Sequence, residues 1–250
     1  DKLLADVIDP DLAKSIAVIE HADDNALKRD TVATVNQFFV TLAANPEEAF
    51  DYSRSSANAL GLVQFIPSTY KSVVAHHPDL HLIADFESGM RDMNNALTAQ
   101  VAYLDEILNA LPADVRAQYA VDANSKERVQ EYMTAAYNGG TVRVKKSIPF
   151  WDDLWTGDVQ NKIKSLQVRH NTLAANIKTW TRQLKTASKT TKPKIQAKIA
   201  AAKKEDAGVL PELTKLRDSA LRAETIGYIT KYRKVVAMID NGETAVLAMN

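Results

Sequence analysis

At 250 residues, with 46% apolar and 25% charged side chains, the chain has the composition of a soluble globular protein, with room for one large domain or a domain with an appendage. It has no Cys, which excludes disulfides and thiolate metal sites, and no apolar run of about 18 residues, which excludes a membrane-spanning helix. Net charge is zero, with 31 basic and 31 acidic residues, but the balance is uneven: residues 159–204 carry twelve Lys/Arg and no Asp or Glu, leaving −12 on the rest.

With 8 Gly and 8 Pro, long helices are favoured over a turn-rich strand fold, and no segment alternates as a strand should. A first helix is predicted over Asp9–His21, with Pro10 suited to its first turn and Leu12, Ile16 and Ile19 on one face. A second spans Thr31–Ala44, carrying Val32, Val35, Phe38, Phe39 and Leu42. Further helices are expected near Ser68–Ala75, Met90–Leu111 and Ser125–Tyr137. The basic stretch differs: Val159, Ile163, Leu166, His170, Leu173, Ile177, Trp180 and Leu184 recur in alternating steps of 4 and 3, a coiled-coil seam containing one His. Thr190-Thr-Lys-Pro193 breaks that helix; Ile195, Ile199 and Ala202 start a return helix, and Pro211 a third. The expected organisation is a domain over 1–157, a basic helical hairpin over 158–210, and a helix over 211–250 returning to the first domain.

Three motifs in this order carry a resemblance: Ala59-Leu-Gly-Leu-Val-Gln-Phe-Ile-Pro-Ser-Thr-Tyr70, Ala135-Ala-Tyr-Asn-Gly-Gly140 and Glu224-Thr-Ile-Gly-Tyr228. Together they resemble the lysozyme-like lytic transglycosylases, which cleave the glycan strands of peptidoglycan, and the Gln-Phe-x-Pro-Ser run is similar to the membrane-bound B-type branch. The resemblance covers residues 9–150 and 223–236 and implies an all-α, lysozyme-like domain, into which the coiled-coil hairpin is inserted. It implies that Ser55, Gln64 and Asn138 contact the sugar, that Tyr137 lies near the catalytic acid, and that Glu224 and Tyr228 border the cleft. Asn58 stands where the family has Gly, a substitution that left-handed φ tolerates. Taken singly, each motif also has a structural reading as a loop, a helix terminator or a surface i, i+4 pair.

The catalytic acid has two candidates. Asp9-Pro-Asp-Leu12 precedes Glu20 as in the family, with His21 replacing the family's Ser. Glu20 lies four residues after Ile16 on the apolar stripe, where desolvation raises a carboxyl pKa toward that of a general acid. The alternative is Glu47 or Glu48 in Glu47-Glu-Ala-Phe-Asp51, which resembles the family's Glu-Ser-Gly/Ala-Phe-Asn, although Asn45-Pro46 explains these acids equally well as a helix start. Glu20 is preferred because the B-type branch has the helical excursion this choice requires.

The implied reaction is non-hydrolytic cleavage of the MurNAc–GlcNAc β-1,4 bond to a 1,6-anhydro end, needing one carboxylate rather than two and no cofactor. A hydrolytic muramidase with Asp51 as second carboxylate, and a glycan-binding assembly protein whose hairpin docks a partner, are the alternatives. His76, His77 and His81 lack the carboxylates of a metalloprotease pattern and read as a solvated loop, so no metal is expected. Trp180 is the hairpin's single aromatic and lies on the seam, which argues against nucleic acid; an anionic envelope polymer, lipid headgroups or an acidic protein fit residues 159–204, as does a solvated basic face. The substrate implies a periplasmic or envelope location with a leader peptide removed, or a phage-encoded protein.

Overall fold

The computed structural model describes residues 7–46 and 48–240, and their regular structure is helical, with two isolated β-bridges in one loop. The described residues divide into two compact units, one from residues up to 141 together with those from 223 on, the other residues 142–222. No helix is long and apolar enough to cross a membrane among the described residues.

The first unit is built round α1 (Pro10–His21). The Asp9 side chain accepts from the Asp11 amide at 2.9 Å and Pro10 fills the first helical position, so the start is fixed by capping. Seven residues, from Leu12 to Ile19, are buried, Ser15 among them. A helix apolar nearly all round belongs inside a bundle. Two short-capped helices follow, α2 (Asp24–Arg29) and α3 (Thr31–Ala44). Then come α4 (Pro67–His76), α5 (Phe86–Arg91), α6 (Met93–Ala110) and α7 (Ala113–Ala117). The single helix expected over Met90–Leu111 is two: the Asp92 side chain accepts from the Asn95 amide at 2.8 Å, so a new helix starts there.

Two long helices cover α1: α8 (Ala123–Gly139) and α12 (Ala223–Asp240). Every residue of α8 from Val129 to Ala136 is buried, including Glu131. That carboxylate is held by a two-pronged Arg233 from α12, with Nη2 2.9 Å from Oε2, which repays part of the cost of burying it. This clasp sets the register of α12 on α8, and with it the position of Tyr228 about one and a half turns earlier.

The second unit contains α9 (Thr141–Ser147) and a hairpin of α10 (Asp158–Thr186) and α11 (Lys192–Ser219). All eight seam positions of α10 are buried or half-buried. They face a second heptad seam, Ile195, Ile199, Ala202, Asp206, Val209, Leu213 and Leu216. The two polar seam residues meet, His170 Nδ1 lying 2.7 Å from Asp206 Oδ1. Pro211 does not open a third helix: α11 runs through it, because Val209 and Leu213 keep the seam packed on both sides of the missing N–H. The return to the first unit therefore begins with α12 at Ala223 rather than at 211.

Candidate active site

A cleft of about 510 Å³ in the first unit is lined by Glu20, Ser55, Gln64, Tyr137, Asn138 and Glu224, among others. Helix α1 delivers Glu20 from its last turn, where both burial and the helix dipole disfavour a negative charge. Burial pushes the Glu20 carboxyl up to about 7; a hydrogen bond from Tyr228 and the nearby Lys231 charge oppose that, while Glu224 adds to it. The Tyr228 hydroxyl donates to Glu20 Oε1 at 2.6 Å. Tyr228 itself is buried, so its phenol is pushed well above its usual range and stays a donor. Lys231, one turn on, lies 5.8 Å from the Tyr228 ring and pairs with Asp24 at 2.9 Å.

Tyr137 lies close enough to Glu20 to feel its charge, but donates its proton elsewhere, to the Val63 carbonyl at 2.6 Å. It therefore fixes the loop that carries Gln64, and Tyr228 is the phenol that holds the acid. Asn138 is oriented from α12, where Thr225 donates to its Oδ1 at 2.9 Å. Gly139 lets those helices meet: a Cβ there would lie 2.7 Å from Thr225 Oγ1.

The 53–65 loop folds back on itself through bridges Arg54–Leu60 and Leu60–Phe65. Gly61 takes φ +73°, and a Cβ would sit 2.3 Å from the Met90 carbonyl oxygen, so only glycine fits. Asn58 adopts φ +65°, the conformation its family counterpart Gly would supply. Ser55 Oγ accepts from the Ala59 amide at 3.0 Å. Gln64 lines the cleft, and its amide nitrogen donates to the Gly61 and Ser53 carbonyls at 2.8 and 3.0 Å.

His21, next to Glu20 in the chain, ties α1 to the 53–65 loop. Its Nε2 donates to the Leu62 carbonyl at 2.8 Å, which makes Nδ1 the acceptor for the Ser53 hydroxyl at 3.4 Å. Its ring stacks on Phe50 at 4.2 Å, and Phe50 holds a left-handed φ of 70° that a bulky residue rarely takes. Burial lowers the His21 pKa, so the ring is neutral at pH 7.

Of the rival acids among the described residues, none lines this cleft. Glu48 is exposed and accepts from Asn45 at 3.2 Å, and Asp51 does not line the cleft; Glu47 lies outside the described residues. His76 and His77 both reach Glu106 Oε1, at 3.2 and 3.0 Å, and no group of side chains suited to a metal ion occurs among the described residues.

The sequence model of the transglycosylase SLT domain matches residues 26–149. The chain carries a lysozyme-like transglycosylase domain. Members of that family are peptidoglycan lytic transglycosylases, so the transglycosylase acts on peptidoglycan, a polymer of the cell envelope. The matched span takes in the Gln64 and Tyr137-Asn138 motifs and begins just after Glu20, so the case for Glu20 as the acid rests on geometry. No curated protein and no solved structure matches the chain.

Proposed function

We propose that the cleft cleaves the MurNAc–GlcNAc β-1,4 bond without water, with Glu20 as acid and then base. One observation carries this reading: Glu20 is a desolvated carboxyl with a pKa near 7, gripped by Tyr228 at 2.6 Å, in a cleft lined by all three motifs. At neutral pH both of its protonation states are accessible. Protonated Glu20 gives its proton to the glycosidic oxygen as the C1–O bond breaks. The N-acetyl group of MurNAc, or the dipoles of the Gln64 loop, stabilises the oxocarbenium-like state. The Glu20 carboxylate then takes the proton of the MurNAc C6 hydroxyl, whose oxygen closes on C1 to give the 1,6-anhydro ring. Gln64 and Asn138 bind hydroxyl and N-acetyl groups, and Tyr137 fixes the loop between them. Such a reaction suits a protein of the periplasm or envelope, or a phage-encoded one.

Glu224 supports a second reading. It is the other carboxylate lining the cleft, and so replaces Asp51 as the candidate partner of Glu20 in a hydrolytic muramidase. Mass spectrometry of digested peptidoglycan separates the two, because the anhydro product is lighter by one water. Anhydro ends lost in Glu20→Gln and kept in Glu47→Gln are expected. Reducing ends that disappear in Glu224→Gln would establish hydrolysis instead.

A further inference from the structure

The charge of the hairpin is segregated along its length. Near the open end the cations have partners: Lys162 pairs with Glu212 at 2.7 Å, Arg169 with Glu205, and His170 with Asp206. Toward the bend there is nothing to pair with, since no Asp or Glu lies between 159 and 204. Arg182, Lys185, Lys189, Lys192, Lys194 and Lys198 are all exposed and lie within about two helical turns of the bend. Lys198 reaches only the Trp180 ring, at 5.8 Å.

Stability alone would not favour this arrangement. Lys185 in the last turn of α10 suits the helix dipole, but Lys192 and Lys194 in the first turn of α11 oppose it, and that turn has no acid and no side-chain cap. Six like charges on one bend also repel each other. Both penalties turn into attractions when an anionic surface arrives.

The shape and chemistry of the bend select among anionic surfaces. It is the convex end of two antiparallel helices, which meets a plane and offers no groove to a strand. Five of its six cations are lysines, point charges suited to diffuse headgroup charge rather than the planar forks that grip single phosphates or base edges. The large exposed apolar side chains of the hairpin, Val168 and Leu210, lie away from the bend, so contact would be electrostatic and without insertion.

We propose that the 182–198 bend is a docking surface for an anionic phospholipid bilayer, holding the transglycosylase against a membrane by reversible charge attraction. This is independent of which residue is the catalytic acid.

The test is cosedimentation of the full chain with vesicles of mixed phosphatidylglycerol and phosphatidylcholine, against vesicles of phosphatidylcholine alone, at low and physiological salt. Two variants of equal net charge are compared: Lys185→Gln, Lys189→Gln, Lys192→Gln and Lys194→Gln together, and Lys145→Glu with Lys146→Glu outside the hairpin. Circular dichroism checks that both keep their helix content. The wild type and the second variant are expected to bind the anionic vesicles and to be released by salt, while the first loses roughly a hundred-fold or more in affinity at low salt. Absence of binding to anionic vesicles, or equal loss in both variants, would overturn the proposal. Duplex DNA or soluble polyphosphate that strips the protein from vesicles at equal phosphate would overturn it too, in favour of a polymer partner.

Discussion

Tyr228 reaches across from α12 to donate to Glu20 Oε1 at 2.6 Å, joining two residues 208 positions apart. This bond favours the charged carboxylate, and so works against the burial that raises the Glu20 pKa to about 7. A hydrogen bond to a charged group is worth about 1.5–3 kcal/mol, or one to two pH units. Tyr228→Phe should therefore move the alkaline limb of kcat/KM upward by about one pH unit or more, with a fall in kcat from lost positioning. A limb that stays in place or moves down would show that Tyr228 does not hold the acid.

Glu20 should also cost the fold stability. Its folded-state pKa of about 7 lies above the unfolded value of 4.5, so the folded state binds the proton more tightly. The associated stability is complete below pH 4.5 and is lost as pH rises through 7. The difference of about 2.5 units corresponds to about 3 kcal/mol. Urea denaturation of Glu20→Gln should show a gain approaching that size at pH 8 and little gain at pH 4, with glycan cleavage abolished at both. Equal stability of mutant and wild type at pH 8 would mean that the carboxyl is hydrated and not poised as an acid.

His21 makes the opposite pH statement. Burial depresses its pKa below 6.5, so its contribution is present above pH 6.5 and is lost as pH falls through the folded-state value. His21→Ser, which installs the family residue, should flatten the acid side of the stability profile. It should also loosen the Leu62 and Ser53 attachments, raising KM for glycan more than it lowers kcat. An unchanged KM with a collapsed kcat would place His21 in the chemistry rather than behind the loop.

What could be read in the sequence followed from periodicity and motif. The α1 stripe, the α3 span and the α10 seam are 3.6- or 3.5-residue patterns, and packing kept them. What could not be read came from long-range partners. Asp92 looks like an ordinary helical residue until its carboxylate caps α6, and Pro211 like a helix start until the seam carries α11 past it. Both tyrosines were legible as cleft residues, but which one holds Glu20 depends on where Val63 lies, 74 residues from Tyr137. The second carboxylate of the cleft was likewise a matter of packing: Asp51 is nearer to Glu20 in sequence, and Glu224 lines the same cleft.

Two glycines with positive φ separate backbone strain from collision. Gly61 at φ +73° has the Met90 carbonyl oxygen 2.3 Å from where a Cβ would stand, whereas Gly140 at φ +85° has nothing within 4 Å. Gly140→Ala should cost only backbone strain, about 1–3 kcal/mol, since φ +85° with ψ 139° lies outside the left-handed helical region and near one that glycine alone favours. Gly61→Ala adds a clash with backbone that cannot rotate away, so the loop must move off α5 and take Gln64 with it. We expect a loss of more than about 3 kcal/mol in urea unfolding, or a smaller loss in which the loop detaches and glycan affinity falls at least ten-fold. Equal, mild losses for the two alanines, with glycan binding intact in both, would mean that the Gly61 loop does not pack on Met90 as described.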